Sequence, residues 1–280
     1  MRQEKTLPFV PVSPKARVEA PAGQAHTTGQ YTLWQILGIW AVATLPAALL
    51  TWVVAPAIIP YSPLHPGITY WLLMIAAMAW QFVVALVIVY RELGTLRWSA
   101  LRQRLWLQTP VDPKTDQPNP RLFWWLVPPL LWNAVFGLFL GKYLDLVMTW
   151  LLPGVQPPAF TQMSQLASPE FRGQWWILGV AFASFIFNYV LGEAFLWHGV
   201  LLPKMQGVFG KYDWIANAVI FGFYHLHKPW ELGSVIATNL GYSWPARRFR
   251  SNWMAVIVHG VEMVPTLVGV LAVLLGFAGG

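Results

Sequence analysis

The chain contains no cysteine among its 280 residues. That excludes a disulfide framework, a thiolate nucleophile and any Cys-ligated metal or cluster. Charge is equally scarce, at 10% of residues against 56% hydrophobic, with a mean hydropathy of +0.50. Soluble domains carry about a quarter charged residues, so the composition is that of an integral membrane protein. The chain also lacks a glycine-rich phosphate loop, a basic helix interleaved with exposed aromatics and an internal repeat. The net charge of +7 therefore does not point to nucleic acid, and its distribution fits membrane topology instead.

What is present is apolar and aromatic. Eighteen Trp and 15% aromatic residues suit interfacial belts. Residues 1 to 30 are polar, rich in Pro, Gly and Thr, and draw no hydrophobic face, so a disordered cytoplasmic tail is expected. The remainder, 31 to 280, reads as a single transmembrane helical domain. Its first apolar run starts too far in, and is too long, for a cleaved signal peptide. Spans are predicted at about 33–59, 68–90, 122–152, 174–201, 212–227, 232–245 and 253–277, with Pro46 and Pro56 as kinks in the first.

The third span is long enough to tilt or to break near Gly141 and Lys142, which would make eight. Between the second and third spans, residues 91–108 gather Leu93, Leu96, Trp98, Leu101 and Leu105 on one helical face. Arg91, Arg97, Arg102 and Arg104 take the others, which predicts an interfacial amphipathic helix on the cytoplasmic leaflet; a solvated loop is the alternative. The fold class is thus all-α, a polytopic bundle of seven or eight spans plus that helix.

With the N-terminus inside, fifteen of the 18 Lys and Arg fall on the cytoplasmic side. Only Lys142, Arg172 and Lys228 fall opposite. That asymmetry predicts an N-terminus in the cytoplasm and a plasma (inner) membrane protein.

Ionisable groups inside the apolar segments are few, and each costs roughly 3 kcal/mol to insert. Glu193 lies in Asn188 to Pro203, His225 in F-G-F-Y-H and His259 in V-H-G-V-E-M. A lone buried Glu can be a carboxyl hydrogen-bonded between helices, and a lone His a satisfied packing residue. Gly192 and Gly199 would serve close helix packing equally well. A carboxylate and two imidazoles on three segments favour an arranged site, with His227 nearer the interface and Glu262 on the face of His259.

The motifs around these residues resemble the CPBP family of intramembrane proteases, which includes CAAX prenyl proteases and bacteriocin-processing relatives. Glu193-Ala194-Phe195-Leu196-Trp197-His198-Gly199 stands where the family has Glu-Glu, three residues, Arg and often Gly. Phe221 to His225 matches its Phe, three residues, His. His259 matches the third motif, which has Asn or Asp four residues on where this chain has Met263. The likeness covers about residues 120–275.

It implies an endopeptidase that activates water with Glu193 and His225 and steadies the oxyanion with His259. Supporting places would fall to His198, Phe221 and Glu262. No cofactor is required by that chemistry. Since the family has also been described as metalloproteases, zinc on Glu193, His225 and His259 is the variant form, though no H-E-x-x-H spacing supports it. The site is expected in a cavity open to the cytoplasm.

Ala194, His198 and Met263 depart from the motifs. They favour a second reading, a catalytically lapsed member acting as a membrane chaperone or structural subunit of a membrane complex. A third takes the histidines as axial ligands of haem or a chlorophyll-type pigment. A transporter would require paired, broken, repeat-related helices that do not occur here. The expected partners are membrane lipid and a peptide, membrane-protein substrate or partner helix, with no nucleic acid.

Overall fold

The structure, a computed structural model, describes residues 29–277. Residues 1–28 of the predicted tail lie outside the described residues. Gln30 and Tyr31 are tied down: the Gly207 N–H donates to Gln30 Oε1 and the Tyr31 N–H to the Lys204 carbonyl. Among the described residues the architecture is helical, apart from an isolated β-bridge between Val111 and Pro118.

Among the described residues five helices are long and apolar enough to cross a membrane: Leu33–Tyr61 (α1), Pro66–Leu93 (α2), Pro120–Leu151, Trp176–Lys204 and Asn252–Leu275. Their ends follow local chemistry. Thr32 caps α1 through a reciprocal pair with Gln35. The ring of His65 accepts from Gly67 N–H at the start of α2, where Pro66 occupies the first turn. Gly94, at φ 67°, closes α2 in the left-handed region that a glycine enters without strain. Pro46 and Pro56 are accommodated within a continuous helix that takes one wide turn at Leu50–Val54.

The region 91–108 differs from the predicted amphipathic helix. Its first residues extend α2, and a short helix Trp98–Arg104 (α3) follows. Arg104 turns inward rather than to the aqueous face. Its guanidinium bonds Glu92 at 2.5 Å and the carbonyls of Gly199 and Val200 at 3.0 and 3.1 Å. Tyr31 also meets Glu92 and Arg104. A helical wheel counts faces of one helix and has no access to acceptors a hundred residues away.

Helix α4, Pro120–Leu151, is unbroken; it widens at Phe136–Leu140, just before the predicted break at Gly141. The turn that follows carries short 3-10 segments at Ala159–Thr161, Met163–Leu166 and Pro169–Phe171. Helix α5 is Trp176–Lys204 and α8 is Asn252–Leu275. Between them lie α6, Asp213–Tyr224, and α7, Leu232–Phe249.

Helix α6 has 12 residues, roughly 18 Å at ~1.5 Å per residue, short of a ~30 Å apolar core. It pairs with α7 as a hairpin. Arg247 and Asp213 join the open ends at 2.5 Å, and Lys228–Glu231 forms the turn. The most enclosed packing surrounds α5, where Leu196, Trp197, Val200 and Leu201 meet Met78 of α2 and Tyr224 of α6.

Candidate active site

Glu193 sits where α5 comes nearest to α2. A Cβ on the preceding Gly192 would stand 2.6 Å from the Met78 carbonyl oxygen, so only glycine allows that approach. Wide, π-type turns flank the residue, at Phe185–Gly192 and Ala194–Leu201. The Glu193 N–H accordingly reaches back five residues to the Asn188 carbonyl. Such turns re-aim side chains and recur at functional sites.

The carboxylate meets three side chains. Tyr224 Oη donates to Oε1 at 3.0 Å. His259 Nε2, from α8, lies 3.3 Å from Oε2, and His225 Nε2, from the end of α6, lies 3.9 Å from Oε1. His225 Nδ1 is 3.0 Å from the Phe221 carbonyl, which can only accept. The ring proton therefore sits on Nδ1 and leaves Nε2 basic toward Glu193. The 3.9 Å gap is too long for a direct hydrogen bond and suits one bridging water. His259 is held by rings: it stacks on Tyr242 with centroids 4.7 Å apart and tilts against Tyr189 at 4.8 Å.

All three sequence-predicted residues, Glu193, His225 and His259, line one cavity of about 950 Å³. Glu262 lines it too and accepts from Asn133 Nδ2 of α4 at 2.9 Å. Phe221 contributes its ring to the wall and its carbonyl to His225. His227, expected nearer the interface, is buried in the same wall and stacks on His225 at 5.1 Å. That follows from α6 ending at Tyr224, which folds the next residues inward.

His198 stands apart. It is fully buried, is not among the residues lining the cavity, and has Nε2 3.4 Å from Asn239 Oδ1. Asn239 continues through Ser243 to Asn217, so His198 belongs to a polar network joining α5, α6 and α7. The other two departures pack: Ala194 is fully buried and its carbonyl accepts from Asn252, while Met263 joins Ile68, Trp71 and Ile177 in an apolar cluster.

Tyr224 and Asn133 escaped the sequence reading. Asn133 carried a usable signal, an amide within an apolar span; Tyr224, beside a motif histidine, carried none of its own.

Where the hairpin turns, Lys228 Nζ bonds Glu231 Oε2 at 2.6 Å on the cavity wall. Burial alone would raise the Glu231 pKa, and the Lys228 charge outweighs it, holding the carboxyl below its usual range. Among the described residues no group of three or more His, Asp or Glu side chains is arranged to hold a metal ion. The candidate zinc set Glu193, His225 and His259 thus does not fit one as it stands.

Residues 173–262 match the family model for Rce1-like proteins, described as type II CAAX prenyl endopeptidase Rce1-like. The match runs from the start of α5 into α8 and includes Glu193, His225 and His259. The CPBP resemblance carried by the motifs is borne out over that segment. No curated protein and no solved structure matches the chain. Five membrane-length apolar helices and a match to a membrane endopeptidase family make this an integral membrane protein.

Proposed function

We propose, with the CAAX-endopeptidase likeness of residues 173–262 as the premise, that the chain is an intramembrane endopeptidase of CPBP type. The observation that carries this reading is the approach of His259 and His225 to the two oxygens of Glu193, inside a cavity large enough for a peptide. In the proposed reaction Glu193 takes a proton from a water that His225 Nε2 orients. The water oxygen bonds to the peptide carbonyl carbon. His259 faces the oxyanion, and the proton held by Glu193 passes to the departing amine as the C–N bond breaks. One water is consumed, and an acid and an amine leave. Tyr224 keeps the carboxylate aimed. The protein is proposed to sit in the plasma membrane with its N-terminus in the cytoplasm.

The test compares membrane-protein N-termini in cells expressing the wild type and Glu193→Gln at equal levels. Cleavage predicts N-termini that vanish in the variant. Identical sets, with both proteins folded, would overturn it.

The packing of Ala194 and Met263 favours a second reading, a lapsed member that binds partner helices without cutting them. Under it, Glu193→Gln leaves N-termini unchanged and a co-purifying partner in place.

A further inference from the structure

The cavity reaches toward one end of the bundle only. On α5 its wall includes Ser184, Asn188 and Glu193 but not Lys204. On α2 it includes Gly67 through Met78 but neither Arg91 nor Glu92, and on α7 it runs from Ser234 to Tyr242, short of Arg247. The turn between α4 and α5 adds Phe160, Thr161 and Gln162 at the mouth. That is the end to which the sequence assigns only Lys142, Arg172 and Lys228, the first and last of which line the wall.

In the opposite direction the bundle is filled. Leu196, Trp197, Val200 and Leu201 are fully buried against Phe221 and Tyr224, between Glu193 and the Arg104 cluster. Interiors packed to that degree leave no route for a chain. A second hollow of about 440 Å³, between Trp98 and Trp253, shares no lining residue with the cavity.

We infer that the site is loaded from the Lys/Arg-poor face, which is the non-cytoplasmic face by charge asymmetry, and that its substrate is an apolar peptide segment presented there. This reverses the sequence-based expectation of a cytoplasmic opening. That the segment is cleaved rests on the endopeptidase reading; the side of entry does not. The wall suits such a segment: Tyr70, Trp71, Phe136 and Tyr189 supply apolar faces. A cytoplasmic chain terminus would meet the packed side.

A chain without cysteine makes the test direct. Single-cysteine variants of the full chain are treated in intact cells with a membrane-impermeant maleimide: Gln162→Cys at the mouth, Thr238→Cys deep on the α7 wall, and Lys211→Cys on the opposite face. Gln162→Cys and Thr238→Cys are expected to label in intact cells, the second more slowly, and Lys211→Cys only after permeabilisation. Thr266→Cys, on the α8 wall, reads the same path if Thr238→Cys fails to accumulate. Labelling of the deep position only after permeabilisation overturns the inference. Outside labelling without any cleavage leaves the entry side standing and removes the endopeptidase reading.

Discussion

Glu193 Oε2 lies 3.3 Å from His259 Nε2, joining the middle of α5 to the middle of α8. Both face the cavity, and the other oxygen of Glu193 lies 3.9 Å from His225 Nε2. If they act as one catalytic unit, their losses do not multiply. Glu193→Gln and His259→Ala should each lower turnover by about 10²–10⁴-fold, and the double variant no further. Initial rates in proteoliposomes, on a substrate found by the N-terminus comparison, check this. Multiplied losses would show independent roles.

The Tyr224 hydroxyl, buried and 3.0 Å from Glu193 Oε1, is a positioning group. Tyr224→Phe is expected to reduce kcat by about 10-fold with KM unchanged, while stability moves by only about 1 kcal/mol. An unchanged kcat would assign the hydroxyl to packing alone.

Arg104 is a structural cation. Its side chain is 6% exposed and that of Glu92 12%, so Arg104→Ala leaves a buried carboxylate unpaired and should cost about 3–5 kcal/mol. The double variant Arg104→Met with Glu92→Gln should recover part of that loss in thermal melting. A double variant as unstable as the single would place the effect in the Gly199 and Val200 carbonyls instead.

At Gly192 a methyl would meet backbone on both sides, the Phe187 and Met78 carbonyl oxygens. Gly192→Ala is expected to destabilise by about 1–3 kcal/mol and to displace the neighbouring Glu193, lowering activity beyond the stability loss. Gly179→Ala, on the same helix with nothing near its Cβ, should be neutral or stabilising by up to about 1 kcal/mol. Equal behaviour of the two would remove the close-approach argument.

The long apolar helices and the three ionisable positions were legible because insertion cost makes both conspicuous in a sequence. The inward turn of Arg104 was not, since its acceptors on Gly199 and Val200 are backbone atoms that no side-chain pattern marks. His198 looked like a substitute for a motif arginine. Its placement beside Asn239 depends on how α5 is rotated by its wide turns, and composition does not encode that rotation. The end of α6 was nearly legible: Lys228 and Pro229 stop the predicted span at 227, and the helix closes three residues earlier, at Tyr224.

The α6–α7 hairpin departs from one face and returns to it, its open ends clasped by Asp213 and Arg247. It would add an even number of passages at any depth, so that, with the five long helices as the proposed spans, α8 would end on the face opposite the start of α1. The tip that carries His225, His227 and Lys228 can therefore lengthen, shorten or shift relative to the bilayer without inverting a single flanking helix. Sidedness does not depend on the tip, whose contribution to the site can change while the helices carrying Glu193 and His259 keep their direction.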